Sequence, residues 1–147
     1  MSDAIVVGTD GSDTAKRAVD EAVRLAKALG AEIHLVSAFH ALRGAHVTGA
    51  PEGAAKVWAP LPDSVVDSTL EQAETHVRLA GVPVIKHAVE RDPAVALLEV
   101  ADEVDAYMIV VGSRGMHGAK RVLGSVPNTV SHRANCNVLI VATGGEE

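Results

Sequence analysis

Residues 108–115 read Met-Ile-Val-Val-Gly-Ser-Arg-Gly, an apolar, mostly β-branched run that passes directly into a glycine-rich segment. A second glycine signal follows at residues 124–127, Gly-Ser-Val-Pro, where the proline marks the first turn of a predicted helix. A strand followed by a glycine-rich loop and a helix start is suited to binding an anion. The glycines let backbone N–H groups approach the anion, and the helix start adds unpaired N–H donors. Arg114, Lys120 and Arg121 lie within the loop. The stretch therefore predicts a phosphate site at the end of a strand.

Short β-branched runs alternate with longer stretches of helical spacing along the whole chain. The predicted strands cover residues 4–9, 32–38, 83–89, 106–112 and 137–142. The runs at 4–7 and 108–111 are continuously apolar, as in parallel strands that helices cover on both faces. With right-handed crossovers, the pattern predicts a Rossmann-like α/β fold: an open, doubly wound parallel five-stranded sheet with helices on both faces. We expect one domain, residues 1–147, since this length suits a single core.

Capping residues, prolines and glycines mark where the predicted helices begin and end. The expected starts are Ser12 or Asp13, Asp63 or Ser64, Asp92 with Pro93, and Val126 with Pro127. The expected ends are Gly30, Gly81 and Ala134. Residues 39–62 hold three glycines and three prolines and are expected to be irregular. They form either a flap beside the carboxyl edge of the sheet or a surface insertion.

Asp10 follows the first predicted strand, between Gly8 and Gly11, and lies on the same sheet edge as the glycine-rich loop. Ligands of doubly wound sheets bind beyond the carboxyl ends of the strands, where the strand order reverses. Asp10 is therefore expected to accept hydrogen bonds from a ribose or a base. The alternative is that it caps the first helix, a position for which Ser12 and Asp13 compete.

Composition excludes several classes of partner. A net charge of −6 argues against nonspecific nucleic-acid binding and against a polybasic membrane anchor. No apolar run approaches the ~20 residues of a membrane span, and no signal peptide is recognisable. The single cysteine, Cys136, suits a reducing compartment, and we expect a cytoplasmic protein in which this thiol is structural.

Familiar catalytic and metal motifs are missing from the sequence. Gly-Lys-Ser/Thr does not occur, so the glycine-rich loop is not a Walker A motif, and the dinucleotide spacing Gly-x-Gly-x-x-Gly does not follow the first strand. A serine hydrolase is disfavoured because the Gly-x-Ser-x-Gly elbow is absent. The seven histidines show no metal-ligand spacing, and we expect no metal site; His117, in the loop, is more readily a solvent-exposed residue than a phosphate ligand.

Taken together, these motifs resemble those of the universal stress protein family over essentially the whole chain. The resemblance rests on residues 5–12 (Ile-Val-Val-Gly-Thr-Asp-Gly-Ser), 110–115 (Val-Val-Gly-Ser-Arg-Gly), 124–126 (Gly-Ser-Val) and 138–141 (Val-Leu-Ile-Val). The family pattern is Gly-x2-Gly-x9-Gly-Ser/Thr, and here eight residues separate Gly115 from Gly124. Members that carry the pattern bind ATP or related adenine nucleotides. The family sheet has the strand order 3-2-1-4-5.

The resemblance implies a nucleotide site on the residues that match. Asp10 is expected to meet the ribose and adenine region, and the backbone at Ser37 and Ala38 the adenine ring. The residues expected to hold the phosphates are Gly112, Arg114, Gly115, Gly124, Ser125 and Val126. The site as a whole is expected to include their neighbours Gly8, Thr9 and Val111.

The resemblance also implies a homodimer that pairs through the last strand, residues 137–142. An exposed apolar edge strand gives an independent reason to expect pairing there. We expect a regulatory protein of the stress response that binds ATP, AMP or cyclic AMP, with Mg²⁺ as a companion of ATP. The alternatives are a dimeric interaction scaffold without an obligatory ligand and a slow ATP hydrolase. The sequence offers no catalytic base or arginine finger, so any ATPase activity is expected to be weak.

Overall fold

The computed structural model describes residues 3–40, 61–113 and 124–143, and the elements below are those of this part of the chain. The strands are β1 (Ala4–Gly8), β2 (Glu32–His40), β3 (Leu61–Pro62), β4 (Val84–Val89), β5 (Met108–Gly112) and β6 (Asn137–Val141). The helices are α1 (Asp13–Leu29), α2 (Asp63–Leu79), α3 (Pro93–Glu103) and α4 (Ser125–Arg133).

The five long strands form a parallel sheet in the order β4-β2-β1-β5-β6. Counted along the chain as in the prediction, this is the order 3-2-1-4-5, so the predicted α/β fold and strand order are confirmed. The two-residue strand β3 was not predicted. It pairs in parallel with the end of β2, where Phe39 lies opposite Leu61 and His40 opposite Pro62. Most of the segment predicted to be irregular, residues 41–60, lies outside the described residues.

Helices cover both faces of the sheet, and each face has its own apolar core. Ile5, Val7, Ile33 and Leu35 pack with α1 and α2 on one face. Val6, Val36, Ile109 and Val111 pack with α3 and α4 on the other. Neighbouring residues of a strand point to opposite faces, so the continuous apolar runs in the sequence supply both cores at once.

Strand β1 is buried over its whole length, whereas the two strands at the edges of the sheet are not. In β6, Asn137 is exposed and the four apolar residues that follow it are half-buried. In β4, the side chain of Ile85 is exposed. Both edge strands therefore leave part of their apolar surface accessible in the described part of the chain.

The ends of α1 agree with the local chemistry of the sequence. Ser12 is its N-cap and accepts a hydrogen bond from the N–H of Ala15, while Gly30 ends it with a φ of 68°. Asp92 and Pro93 occupy the expected positions in α3, although Asp92 makes no side-chain capping bond.

The ends of the other two helices correct the prediction. The N-cap of α2 is Pro62, so Asp63 and Ser64 belong to its first turn rather than preceding it. Pro62 suits this position because its fixed φ and missing N–H match what a helix start requires. Helix α4 begins at Ser125 and ends at Arg133, one residue earlier at each end than predicted.

Candidate functional site

The strand order reverses between β1 and β5, which places the segments that follow these strands side by side. Ile5, Val6 and Val7 lie opposite Met108, Ile109 and Val110 in register. A cleft opens at the carboxyl edge beyond this pair. Its described lining residues are Gly8, Asp10, Ser12, Thr14, Ala15, Val111 and Gly112. Four of the predicted site residues are thus brought together: Gly8, Asp10, Val111 and Gly112.

Asp10 is half-buried in this cleft and does not cap α1. Its Oδ1 accepts a hydrogen bond from the N–H of Ser12 at 2.9 Å. The Ser12 hydroxyl oxygen in turn accepts from the N–H of Ala15 at 3.2 Å, which makes Ser12 the cap. Gly11 completes the turn with a φ of 82°, a conformation that other residues rarely adopt. The alternative role of Asp10 as the helix cap is therefore wrong, and Asp10 is one of the residues that line the cleft.

Buried hydroxyl groups stiffen the end of β1 next to β2. The Ser37 hydroxyl donates to the carbonyl oxygen of Thr9 at 2.6 Å, and the N–H of Thr9 donates to the carbonyl oxygen of Val36 at 2.9 Å. Thr9, Ser37 and Ala38 are all buried, and none of them is among the described lining residues of the cleft. Thr9 and Ser37 thus hold the two strand ends together, and Ser37 and Ala38 lie one strand away from the cleft.

Gly124, Ser125 and Val126 form the start of α4. Gly124 is the N-cap, no side chain caps the helix, and Ser125 is exposed while Val126 is buried. The first N–H groups of a helix have no partner within it, so this end offers donors and a partial positive charge. Two further predicted site residues, Arg114 and Gly115, lie outside the described residues, as do His117, Lys120 and Arg121.

Ser113 and Thr143 join the end of β5 to the chain that leaves β6. Ser113 donates its N–H to the carbonyl oxygen of Val141 at 2.8 Å, and its hydroxyl oxygen accepts from the N–H of Thr143 at 3.0 Å. Arg17 on α1 donates from Nη1 to the carbonyl oxygen of Thr143 at 3.2 Å. Thr143 is only 4% exposed, and it lies against Gly112. These hydrogen bonds hold Ser113, the first residue after β5, against the chain that leaves β6.

Sequence reasoning did not assign Ser12, Thr14 or Ala15 to the cleft, and it missed Thr143. Ser12 and Thr14 follow the first strand within a few residues, and Thr143 follows the last strand, so their places at carboxyl strand ends were a usable signal. Their contacts depend on how α1 and β6 pack, which no local pattern specifies.

The described lining of the cleft carries a few polar side chains among small apolar residues. Asp10 is the one charged side chain among its described lining residues, beside the hydroxyl groups of Ser12 and Thr14. In the described ranges, no group of three or more His, Cys, Asp or Glu residues is placed to hold a metal ion. None of the helices in the described ranges is long and apolar enough to cross a membrane.

Comparisons with known proteins agree with this architecture. The family model described as "Universal stress protein family" matches residues 1–142. Universal stress protein Rv1636 of Mycobacterium tuberculosis (strain ATCC 25618 / H37Rv) is 38% identical over 148 aligned residues, which cover 95% of this chain and 95% of the relative.

Two similar solved structures contain adenine nucleotides. A crystal structure of a universal stress protein in complex with cAMP is 35% identical with a TM-score of 0.73, and the match covers 97% of this chain and 98% of the other. A universal stress protein from Archaeoglobus fulgidus in complex with dAMP is 26% identical with a TM-score of 0.69, and the match covers 95% and 97% of the two chains. On the family match and the identity to the mycobacterial relative, the chain belongs to the universal stress protein family.

Proposed function

We propose that the cleft between the ends of β1 and β5 binds an adenine nucleotide, and that the protein is a cytoplasmic regulator of the stress response through this ligand. The observation that carries the proposal is the convergence of Gly8, Asp10 and Gly112 on one cleft where the strand order reverses. Similar structures with cAMP and dAMP support the class of ligand.

Each part of the cleft suits one part of a nucleotide. The Asp10 carboxylate can only accept hydrogen bonds, which fits a ligand that presents hydroxyl groups, such as a ribose. The open N-terminus of α4, at Gly124, Ser125 and Val126, suits the phosphates. Arg114 and Gly115 complete the phosphate loop in this proposal, and the backbone at Ser37 and Ala38 meets the adenine ring. Mg²⁺, where it accompanies ATP, is expected to be held mainly by phosphate oxygens and water.

We propose binding rather than rapid turnover. The described cleft offers Asp10 as its one ionisable side chain, and the hydrogen bond from Ser12 already occupies Oδ1 of that carboxylate. A charged group that stabilises the substrate and the transition state to the same extent makes binding tighter but does not accelerate the reaction. Any ATP hydrolysis should therefore be slow, and AMP or cyclic AMP should bind without being consumed.

A homodimer through β6 is the second part of the proposal. The half-buried run Val138–Val141 lies on the open edge of the sheet, where β5 pairs with β6 on one side. Pairing with the same strand of a second copy would satisfy backbone groups and cover apolar side chains. The carboxyl end of β6 leads to Thr143, which is hydrogen-bonded to Ser113 at the end of β5. The interface would therefore lie close to the nucleotide cleft.

Thermal stabilisation by AMP, ADP, ATP and cyclic AMP tests the ligand. A nucleotide at about 100 times its Kd should raise the free energy of unfolding by about 2.7 kcal/mol. Asp10→Asn should weaken the affinity by about tenfold or more, since a hydrogen bond to a charged acceptor contributes about 1.5–3 kcal/mol. Asp13→Asn is the matched control, because Asp13 is exposed on the first turn of α1 and does not line the cleft.

The outcomes separate the candidate functions. Stabilisation that Asp10→Asn reduces and Asp13→Asn preserves supports the proposal. The absence of stabilisation by all four nucleotides would instead favour an interaction scaffold. Sustained phosphate release from ATP that Gly115→Asp abolishes would favour an enzyme.

A further inference from the structure

Two histidines and a glutamate form a hydrogen-bonded chain on the sheet face that α3 covers, away from the cleft. His34 on β2 has a side chain that is only 5% exposed, yet both of its ring nitrogens have partners. Its Nε2 lies 2.8 Å from Oε2 of Glu32, and its Nδ1 lies 2.9 Å from Nε2 of His87 on β4. The two imidazole rings are 5.1 Å apart between centroids.

The strand register explains how residues so distant in sequence meet. His34 lies opposite Ile85, and His87 lies opposite Val36, so the two histidines are diagonal neighbours on one face of the β2–β4 pair. Val36 belongs to the core with α3, which identifies the face. The contact between the rings thus ties the edge strand β4 to β2 through side chains, in addition to the backbone ladder.

The donor and acceptor chemistry of Glu32, His34 and His87 determines where the protons of these two hydrogen bonds lie. An ionised Glu32 can only accept, so Nε2 of His34 carries a hydrogen. In a neutral His34, Nδ1 is then an acceptor, and Nε2 of His87 must donate to it. One added proton fits on Nδ1 of His87 and keeps the contact between the rings, but burial opposes the positive charge that it brings and so favours an undocked β4. A second would place hydrogens on both nitrogens of the 2.9 Å contact between the rings, and this contact would have to open.

Few charged groups face this pair in the described part of the chain. Glu32 binds His34 from β2, and Glu103 at the end of α3 acts on His87. Strand β1 contributes only apolar residues and glycine, and α2 packs on the opposite face, where Glu74 pairs with Lys86. Glu32 and Glu103 are therefore the two described carboxylates that can offset positive charge on the pair.

We propose that Glu32, His34 and His87 form a proton-operated latch that holds β4 to β2 near neutral pH and releases it on acidification. Release would loosen the ladder in which Ala88 lies opposite Ser37 and Val89 opposite Ala38. The three residues of the latch are not part of the proposed nucleotide site, but the ladder that would loosen includes Ser37 and Ala38, which are part of it.

The direction of the pH dependence follows from His87. Burial, and then the neighbouring His34, lower the pKa of His87 below its usual value, against a smaller opposing effect of Glu103. Between about pH 6.5 and the lowered value, the unfolded chain binds more protons than the folded one. Stability is therefore fully present above about pH 6.5 and is lost as the pH falls through the folded pKa.

Hydrogen exchange and histidine NMR test the latch on the full chain. At pH 7.5 the His34 ring should be in the Nε2–H tautomer with an unprotonated Nδ1. Below about pH 6.5 the opening equilibrium of the β4 amides should rise by up to about tenfold per pH unit for each linked proton, after correction for intrinsic exchange. The β6 amides, on the other edge strand, should change less.

Two variants complete the test. His87→Gln keeps a side-chain N–H donor for His34 but does not titrate, so its β4 amides should lose most of the pH dependence. His132→Gln is the control, because His132 is exposed on α4. Any one of three results would overturn the proposal. The first is a protonated Nδ1 on His34 at pH 7.5, and the second is an equal loss of amide protection in β4 and β6 on acidification. The third is an unchanged pH dependence of β4 amide exchange in His87→Gln. If His87→Gln fails to fold, the tautomer and the comparison of β4 with β6 in the wild-type chain decide.

Discussion

Gly112→Ala is the substitution for which the structure permits the most direct calculation. A Cβ at this position would lie 3.2 Å from Cγ2 and 3.3 Å from Oγ1 of Thr143, and 3.6 Å from the carbonyl oxygen of Thr14. The first two distances are shorter than ordinary van der Waals contacts, so Thr143 would have to move by a few tenths of an ångström. Its N–H donates to Ser113, and its carbonyl oxygen accepts from Arg17, both of which resist that movement.

We therefore expect Gly112→Ala to destabilise the protein by about 1–3 kcal/mol, the usual cost of overpacking a well-packed site. For a chain of this size, each kcal/mol lowers Tm by roughly 2–4 °C, so the expected fall is about 2–12 °C. Urea unfolding at constant pH should show a lower midpoint with an unchanged m-value.

The partner variant Thr143→Ala provides the control, because it removes both atoms that the new Cβ would crowd. Steric conflict at this pair predicts that the double variant is more stable than the sum of the two single effects by about 0.5–3 kcal/mol. Strictly additive effects, or a Gly112→Ala variant with the wild-type Tm, would refute the argument that Thr143 requires glycine at position 112.

Three further predictions concern a helix cap, an edge strand and the thiol. Ser12→Ala should cost about 1 kcal/mol in urea unfolding through the lost cap of α1, whereas Asp92→Ala, at a cap without a side-chain bond, should cost clearly less; equal losses would contradict the capping role of Ser12. Ile140→Asp should yield a monomer by light scattering, while Ile85→Asp on the opposite edge strand should leave the association state unchanged; a dimeric Ile140→Asp would remove β6 from the interface. Burial, and then Asp102, raise the pKa of Cys136, so iodoacetamide should alkylate the folded protein more slowly near pH 8 than the unfolded chain. Asp102→Asn should accelerate the reaction and Asp105→Asn should not; identical rates in both variants would argue against the effect of Asp102.

The apolar patterns of the sequence predicted the sheet well because they report burial directly. Continuous runs such as residues 4–7 and 108–111 pack on both faces, and in the structure these strands supply two separate cores. The strand order was available only from the resemblance to a known family, since periodicity does not say which strands pair.

The candidate site was predicted in part. The glycines at the ends of β1 and β5 pointed to the carboxyl edge, and Gly8, Asp10, Val111 and Gly112 meet there. Sequence alone could not choose between Ser12, Asp13 and Asp10 as the cap of α1. All three are good capping residues, and the choice depends on the turn that Gly11 permits.

What the amino-acid sequence determined by itself is local: the alternation of strands and helices, their approximate ends, and the glycine-rich segments that follow two of the strands. Those features depend on residues within one or two turns of each other, so their pattern can be recognised along the chain. Only the tertiary structure decided that Thr143 packs against Gly112, that Pro62 starts α2, and that His34 meets His87 across 53 residues. Such contacts follow from strand register and helix packing, which are set by the burial of the whole core rather than by any short stretch of sequence.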